Sequence, residues 1–321
     1  MLALKGRNIP RSNWKRLVCK FRMTSPKITV VMPVWNGEVH LDEAVRSIRN
    51  QTFTEFEFLI LDDGSTDRTP AILAEHAAQD PRIRIIRLEH GGIVEALNRG
   101  VGESRAEWIA RMDSDDISYP TRLEKQWNAI VNHSGTVLCH CHTRIIGDPG
   151  MVTPAGHFIR TKALLALRLC FQSPIVHPTV MFHKPTFLEC GGYEASEEHA
   201  EDYGLWGRLM LRGGIVGVAE PLLDLRVHAG SISKQQAAAQ QAITEKVAVR
   251  HCGWFMNLDG ETALRAYRVF RSELITHPSR EWIWFVLRCL PRMRWQSLEM
   301  WAWVLRYTPG FLSRSPAKAR F

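Results

Sequence analysis

Residues 28–63 read ITVVMPVWNGEVHLDEAVRSIRNQTFTEFEFLILDD, and the changes of pattern inside this stretch decide the fold. Ile28 to Val34 is an apolar run rich in β-branched residues, Leu41 to Arg49 has helical character, and Phe56 to Leu61 is a second apolar run closed by Asp62-Asp63-Gly64. Strand, helix, strand is the grammar of a βαβ unit. It continues outward through a helix from about Thr69 to Ala78, a strand Ile83 to Leu88 and a helix Ile93 to Val101. A strand Trp108 to Met112 follows, ending in Asp113-Ser114-Asp115-Asp116. Strands alternating with helices imply an α/β fold whose mostly parallel sheet is covered by helices on both faces.

Upstream, residues 1–25 lack periodicity and are basic (Lys5, Arg7, Arg11, Lys15, Arg16), with Met23 as a second possible start. They have no apolar core followed by a small-residue cleavage site, so they do not read as a secretory signal and are set aside as a tail. Downstream, a helix runs from Pro120 to about Asn132, then a strand Thr136 to Ile145, then a less regular region holding Pro154, Pro174, Pro178 and Pro185. Glu201 to Arg212 (EDYGLWGRLMLR) reads as an amphipathic helix with acidic residues in its first turn, where the helix dipole favours them. Beyond Ser233, from the Gln/Ala-rich stretch Gln235 to Ala242 onward, helices dominate. A boundary near residue 232 therefore separates a domain at 26–232 from a helical C-terminal appendage at 233–321, and no internal repeat is visible.

With 321 residues, 45% of them hydrophobic, the chain can bury a sizeable core. The net charge of +8 favours anionic partners, among which nucleotide phosphates, anionic lipids and nucleic acid are not distinguished by charge alone. Seven scattered cysteines lack the density of a disulfide scaffold and point to a reducing compartment. The best apolar stretch, Trp282 to Leu287, is followed by Arg288, Pro291 and Arg292 and falls short of the roughly 20 residues a spanning helix needs.

In an open parallel sheet, ligands bind beyond the carboxyl ends of the strands, where both acidic clusters fall. Carboxylates gathered at one edge of a basic protein raise each other's pKa unless a cation neutralises them. Hard oxygen ligands select Mg2+ or Mn2+. The plainer reading is that Asp62, Gly64, Ser65 and Asp116 are turn and cap residues.

The strings VVMPVWNGE (Val30 to Glu38), LDDGSTD (Leu61 to Asp67), the spaced Ala96, Asn98 and Gly100, MDSDD with Pro120, GGY (Gly191 to Tyr193), EDYGLW (Glu201 to Trp206) and RVHAGSIS (Arg226 to Ser233) stand in that order. In order and spacing they resemble the family 2 glycosyltransferases of the GT-A fold, over most of residues 28–232. The resemblance implies an inverting transferase that moves a sugar from a nucleotide-diphosphate donor, UDP by preference, to a hydroxyl of a glycan or lipid-linked saccharide in cell-surface polysaccharide biosynthesis. It places Pro33, Trp35 and Asp63 on the base and ribose, with Glu38 in the same nucleotide-sugar site. Asp113 would reach ribose or metal, Asp115 the metal that bridges the diphosphate, and His228 the metal or phosphate.

Asp202 would be the general base beside a positioning or capping Glu201. The chemistry requires a carboxylate near the acceptor hydroxyl, deprotonating it as it attacks opposite the leaving group. An indole face suits base stacking, with a core position for Trp35 as the plainer alternative. For Glu201 and Asp202 the plainer reading is helix capping.

Processive relatives carry Gln-x-x-Arg-Trp and several spanning helices. Gln235 to Gln241 has no such Arg-Trp, so addition of a single sugar is expected. No Gly-rich phosphate loop with an Arg follows the first strand, as a nucleotide-sugar pyrophosphorylase would need, and no G-x-G-x-x-G opens the first helix, as a dinucleotide oxidoreductase would need. A catalytically inactive, glycan-binding or scaffold version of the fold is the alternative function. A nucleic-acid partner is not expected, because no recognised binding module accompanies the basic charge.

Cys139-His140-Cys141-His142 on a strand would put the two Cys on one face and the two His on the other, which argues against a zinc site. His177 and His183 are left out of the catalytic set. In the C-terminal region Trp282, Trp284, Trp295, Trp301 and Trp303 interleave with Arg280, Arg288, Arg292, Arg294, Arg306 and Arg314. Such helices suit either a membrane interface or docking on the catalytic domain. The expected location is the cytoplasm, with peripheral contact at the inner face of the cell membrane as the variant.

Overall fold

The computed structural model describes residues 25–147, 151–154, 159, 161–228, 237–273, 287–293, 298, 300, 301 and 304. In chain order the elements begin β1 (Ile28–Val34), α1 (Leu41–Arg49), β2 (Phe56–Asp62), α2 (Thr69–Gln79), β3 (Ile83–Arg87), α3 (Ile93–Glu103), β4 (Trp108–Arg111), β5 (Ile117–Ser118) and α4 (Arg122–Val131). They continue with β6 (Thr136–Gly147), β7 (Met151–Pro154), α5 (Lys162–Leu169), β8 (Met181–His183), α6 (Lys184–Glu189), α7 (Glu201–Arg212), β9 (Gly214–Val227), α8 (Ala237–Met256) and α9 (Gly260–Glu273).

Among the described residues nine strands form one sheet in the order β3-β2-β1-β4-β8-β6-β9-β5, with β7 paired to β6. The half built from β3, β2, β1 and β4 is parallel throughout, as the alternating pattern implies. Beyond β4 the sheet is mixed, since β8 runs antiparallel to both of its neighbours. Period-two alternation places the two cores. Val30 and Met32 face α1, α2 and α4, while Val31, Leu59 and Leu61 face α3, α5 and α7.

Residues expected to be irregular contain α5, a buried helix, and the three-residue β8 that joins the two halves of the sheet. After the boundary read near residue 232, α8 contributes Val247, Ala248, Cys252, Phe255 and Met256 to the same buried cluster as Leu165, Tyr203 and Trp206. Residues 1–24 of the expected tail lie outside the described residues, as do Trp282, Trp284, Trp295, Trp303, Arg280, Arg294, Arg306 and Arg314. Trp301 packs against the core, whereas Arg288 and Arg292 are exposed.

Candidate active site

Pairing of β4 with β1 ends at Val31 opposite Arg111, so Pro33 sits past the last ladder contact on that side, where a residue lacking N–H is tolerated. The strand then opens into residues 35–40. Asn36 adopts a left-handed φ of 49° and locks against the next βα turn: its amide donates to Ser65 Oγ at 2.9 Å, and its side-chain oxygen accepts from Thr66 N at 2.9 Å. Glu38 belongs to the same lock, its amide donating to Asp67 (3.1 Å) and its carboxylate accepting from Arg68 N (3.0 Å). The structure thus gives Glu38 a loop-bracing contact at the rim of the expected donor site.

Trp35 is 54% exposed, which removes the reading of it as a core residue, and it stacks on His90 with ring centroids 4.4 Å apart and an interplanar angle of 18°. Asp63, buried at the end of β2, accepts from the amides of Gly91 and Gly92 (both 3.0 Å) and lies 2.9 Å from His90 Nδ1. Its carboxylate therefore fixes the entry to α3, and a carboxylate with about four lone-pair sites keeps acceptor capacity beyond these three contacts. The sequence does not mark His90, since a lone histidine between strand and helix carries no pattern.

The second acidic cluster lies beyond β4. Carboxylate oxygens of Asp113, Asp115 and Asp116 lie within 4.8 Å of one another, the one such group of His, Cys, Asp and Glu among the described residues. Asp113 pairs with the buried guanidinium of Arg111. Asp115 meets His228 Nε2 at 3.0 Å, and His40 lies tilted against that imidazole at a centroid distance of 5.3 Å. Asp116 is buried, accepting from Arg226 N at 2.8 Å through one oxygen while its Oδ2 has no partner.

Burial, then the Asp113 and Asp115 charges, push Asp116 well above the ordinary carboxylate range, and burial raises Asp113. An orphaned buried carboxylate oxygen beside two further carboxylates and an imidazole is a donor set that fits Mg2+ or Mn2+. Asp116 thus joins the expected ligands Asp113, Asp115 and His228. β9 brings His228 here by pairing in parallel with β6 over its whole length.

Asp202 opens α7 and is partly buried, with Oδ1 accepting from its neighbour's amide, Tyr203 N, at 2.6 Å. Burial, reinforced by the charge of Glu201, raises its pKa to about 7, while the field of Arg111 opposes the rise. Glu201 is buried with Oε2 unpartnered. One guanidinium, Arg111, thus pairs with the metal-type cluster and acts on the carboxylates of α7. Asn98 braces the same region by holding the backbone of Tyr193 from both sides, at 2.8 and 3.0 Å. Tyr193 OH in turn meets His177 Nε2 at 2.9 Å.

The Cys-His-Cys-His stretch lies in β6 with Cys139, His140 and Cys141 all buried. Burial pushes the Cys141 thiol up to about 11 and His140 down to about 4, and the metal-type group found among the described residues includes none of these side chains. His183 Nδ1 meets Thr186 Oγ1 at 2.9 Å, next to the turn into α6.

Comparison with known proteins fits this geometry. The fold is that of the GT-A glycosyltransferases. It superposes on Staphylococcus aureus TarS 1–349 in complex with UDP-GlcNAc with a TM-score of 0.61 at 17% identity, covering 88% of this chain and 79% of that one. It also superposes on the Pyrobaculum calidifontis mannosyltransferase PcManGT in complex with GDP-Man and Mn2+, with a TM-score of 0.55 at 15% identity, covering 88% and 85%.

In sequence the chain is 32% identical over 219 residues to the Escherichia coli O-antigen biosynthesis glycosyltransferase WbnJ, covering 66% of this chain and 84% of that one. It is 27% identical over 245 residues to an uncharacterized glycosyltransferase of Haemophilus influenzae, covering 73% and 76%. The model of glycosyl transferase family 2 matches residues 29–189, and the chain belongs to that family.

Proposed function

We propose that this glycosyltransferase moves one sugar at a time, with inversion, from a UDP-sugar to a hydroxyl of a glycan or lipid-linked saccharide during assembly of a cell-surface polysaccharide, and that it requires Mg2+ or Mn2+. The observation that carries the reading is the convergence on Arg111: Asp113 of the acidic cluster pairs with this buried cation, whose field also acts on Asp202. Donor-binding and proton-accepting carboxylates thus both lie within reach of the field of one buried guanidinium at the end of β4.

Trp35 and Pro33 receive the base, and Asp63 offers its remaining acceptor capacity to a ribose hydroxyl or ring N–H, with Glu38 bracing the rim. Asp113, Asp115, Asp116 and His228 hold the divalent ion, which when bound stabilises charge on the leaving diphosphate. Asp202 takes the acceptor proton as that oxygen attacks opposite the leaving group, and Glu201 sets its charge environment. Support for the polysaccharide context comes from the O-antigen role in the name of WbnJ, and for the donor from UDP-GlcNAc in TarS. GDP-Man with Mn2+ in PcManGT makes a GDP-sugar the second choice.

Calorimetric titration with UDP, GDP and dTDP, with and without Mn2+, tests the donor half. Manganese-dependent binding of UDP is expected, and Trp35→Ala should weaken it about tenfold, since a base stacked on an aromatic ring is worth about 1–3 kcal/mol. Failure of all three nucleotides to bind would favour the glycan-binding or scaffold reading.

A lipid-linked acceptor fits a peripheral place on the inner face of the membrane. The described residues contain no helix long and apolar enough to cross a bilayer. Leu287 (71% exposed) instead stands next to exposed Arg288 and close in sequence to exposed Arg292, and Leu298 is 90% exposed. This pairing of apolar and basic side chains suits an anionic lipid surface. Cell fractionation should leave part of the protein with membranes at low salt and release it at high salt; complete recovery in the detergent-free supernatant at low salt would exclude the contact.

A further inference from the structure

The segment leading into Asp202 is built oddly. His199 adopts a left-handed φ of 74°, a conformation that side chains other than glycine rarely take, so something outside the segment must hold it. The holding groups come from α8, which lies beyond the residues matched by the family model. Gln240 Nε2 donates to the His199 carbonyl at 2.9 Å. Arg250 pairs with the carboxylate of Glu197, a side chain 3% exposed that also takes Arg208 Nη1 at 2.8 Å. Arg208 in turn donates to Gly192 O at 2.8 Å, so the two arginines and Glu197 tie the GGY turn, the loop and α7 together.

The two glycines of α7 make this close approach possible. A methyl at Gly204 would collide with the Glu197 carboxylate, and one at Gly207 with His251 Nε2 of α8. The His251 ring stands edge-on to Tyr203, with centroids 4.9 Å apart, and both side chains share the Leu169 carbonyl. Tyr203 is the residue after Asp202 and its amide donates to the Asp202 carboxylate at 2.6 Å, so contacts that fix α7 about its axis also fix where the Asp202 side chain starts and the amide that holds it.

We propose that Arg250 and Gln240 of α8 are positioning residues for Asp202, acting through Glu197 and the His199 carbonyl. The inference rests on the reading of Asp202 as the base. It makes the C-terminal helix part of the working site, although neither residue touches substrate. Removing the Arg250 guanidinium leaves Glu197 with Arg208 and cuts one of the two ties between the loop and α8, and removing the Gln240 amide deletes the other, a single hydrogen bond to the left-handed residue.

The test measures UDP or GDP released from a panel of UDP- and GDP-sugars with water as acceptor, in wild type, Arg250→Met, Arg250→Lys and Gln240→Ala, alongside UDP affinity in Mn2+ and the melting temperature. Misplacing a catalytic group by about 1 Å can cost about a hundredfold in rate. Expected are a kcat lowered about ten- to a hundredfold in Arg250→Met, a smaller loss in Gln240→Ala, KM and UDP affinity unchanged, and most of kcat recovered in Arg250→Lys. A role confined to stability would lower the melting temperature without separating kcat from KM. Arg250→Met and Gln240→Ala both turning over like wild type overturns the inference and leaves the transfer reading standing. Asp202→Asn, assayed alongside, releasing nucleotide as fast as wild type would remove Asp202 from the base role, and this inference with it.

Discussion

Asp202→Asn is expected to lower turnover about a thousandfold while leaving the manganese-dependent affinity for UDP unchanged, because positioned general bases contribute about 10²–10⁴ in rate. Asparagine has nearly the shape of aspartate, and its oxygen can still accept from Tyr203 N, so the first turn of α7 keeps its geometry. What it loses is the capacity to take a proton.

The pH dependence gives an independent reading of the same group. Burial and the neighbouring Glu201 charge raise the Asp202 pKa to about 7, so the carboxyl keeps its proton to higher pH than an ordinary aspartate. A base acts only when deprotonated. The wild-type rate should therefore fall tenfold per unit as pH drops below about 7 and level off above it. In Asp202→Asn this acid limb should vanish from whatever activity persists. A variant that keeps full turnover, or one whose acid limb is unchanged, would remove Asp202 from the base role and return Glu201-Asp202 to helix capping.

The parts of this site differ in how far the sequence exposes them, for physical reasons. The parallel half is written in local patterns: β1 and β2 are runs dominated by apolar residues, β3 and β4 are short segments rich in β-branched or aromatic residues between helical stretches, and each acidic cluster stands at a carboxyl end, where the fold class alone places ligands. Observed ends of α1 and α7 coincide with those read from periodicity and first-turn charge. The other half depends on contacts between residues far apart in sequence. β9 is a 14-residue strand, yet Gly214, Gly217 and Pro221 interrupt its sequence, and its pairing with β6 passes through register shifts at Cys141, His142 and Thr143. No period survives such irregularity, so the sequence carries no strand signal there.

His228 could thus be placed near the acidic cluster only by resemblance, whereas the parallel run of β9 along β6 explains how it arrives. Asp116 is the converse case. Its residue type in that position suggested a turn, and only its burial with an unpartnered oxygen separates it from a solvated carboxylate. Arg111 carries no motif at all. Its importance lies in being buried between two groups of carboxylates, a fact that the alternation of β4 does not reveal.

Asp115→Ala is expected to abolish the manganese dependence of UDP binding, with manganese affinity falling at least about a hundredfold, since even loss of a residue that only orients a metal ligand costs about 10–100-fold. Asp115 is the member of the cluster whose carboxylate meets His228, so its loss removes one oxygen ligand and the group that orients the imidazole. Asp113 and Asp116 cannot substitute, because each already counts as a ligand in the set and has its other interactions fixed by Arg111 and by Arg226 N.

Thermal shift gives a reading that needs neither donor sugar nor acceptor. A ligand at a hundred times its Kd stabilises the folded state by about 2.7 kcal/mol, so wild type should melt several degrees higher with saturating UDP and Mn2+ than with EDTA. Asp115→Ala should show no such rise. Without metal the variant should melt no lower than wild type, because removing one of three crowded carboxylates relieves repulsion that raises the Asp116 pKa. A variant that keeps the full manganese-dependent rise would place the ion elsewhere and reduce the acidic cluster to a brace for Arg111 and Arg226.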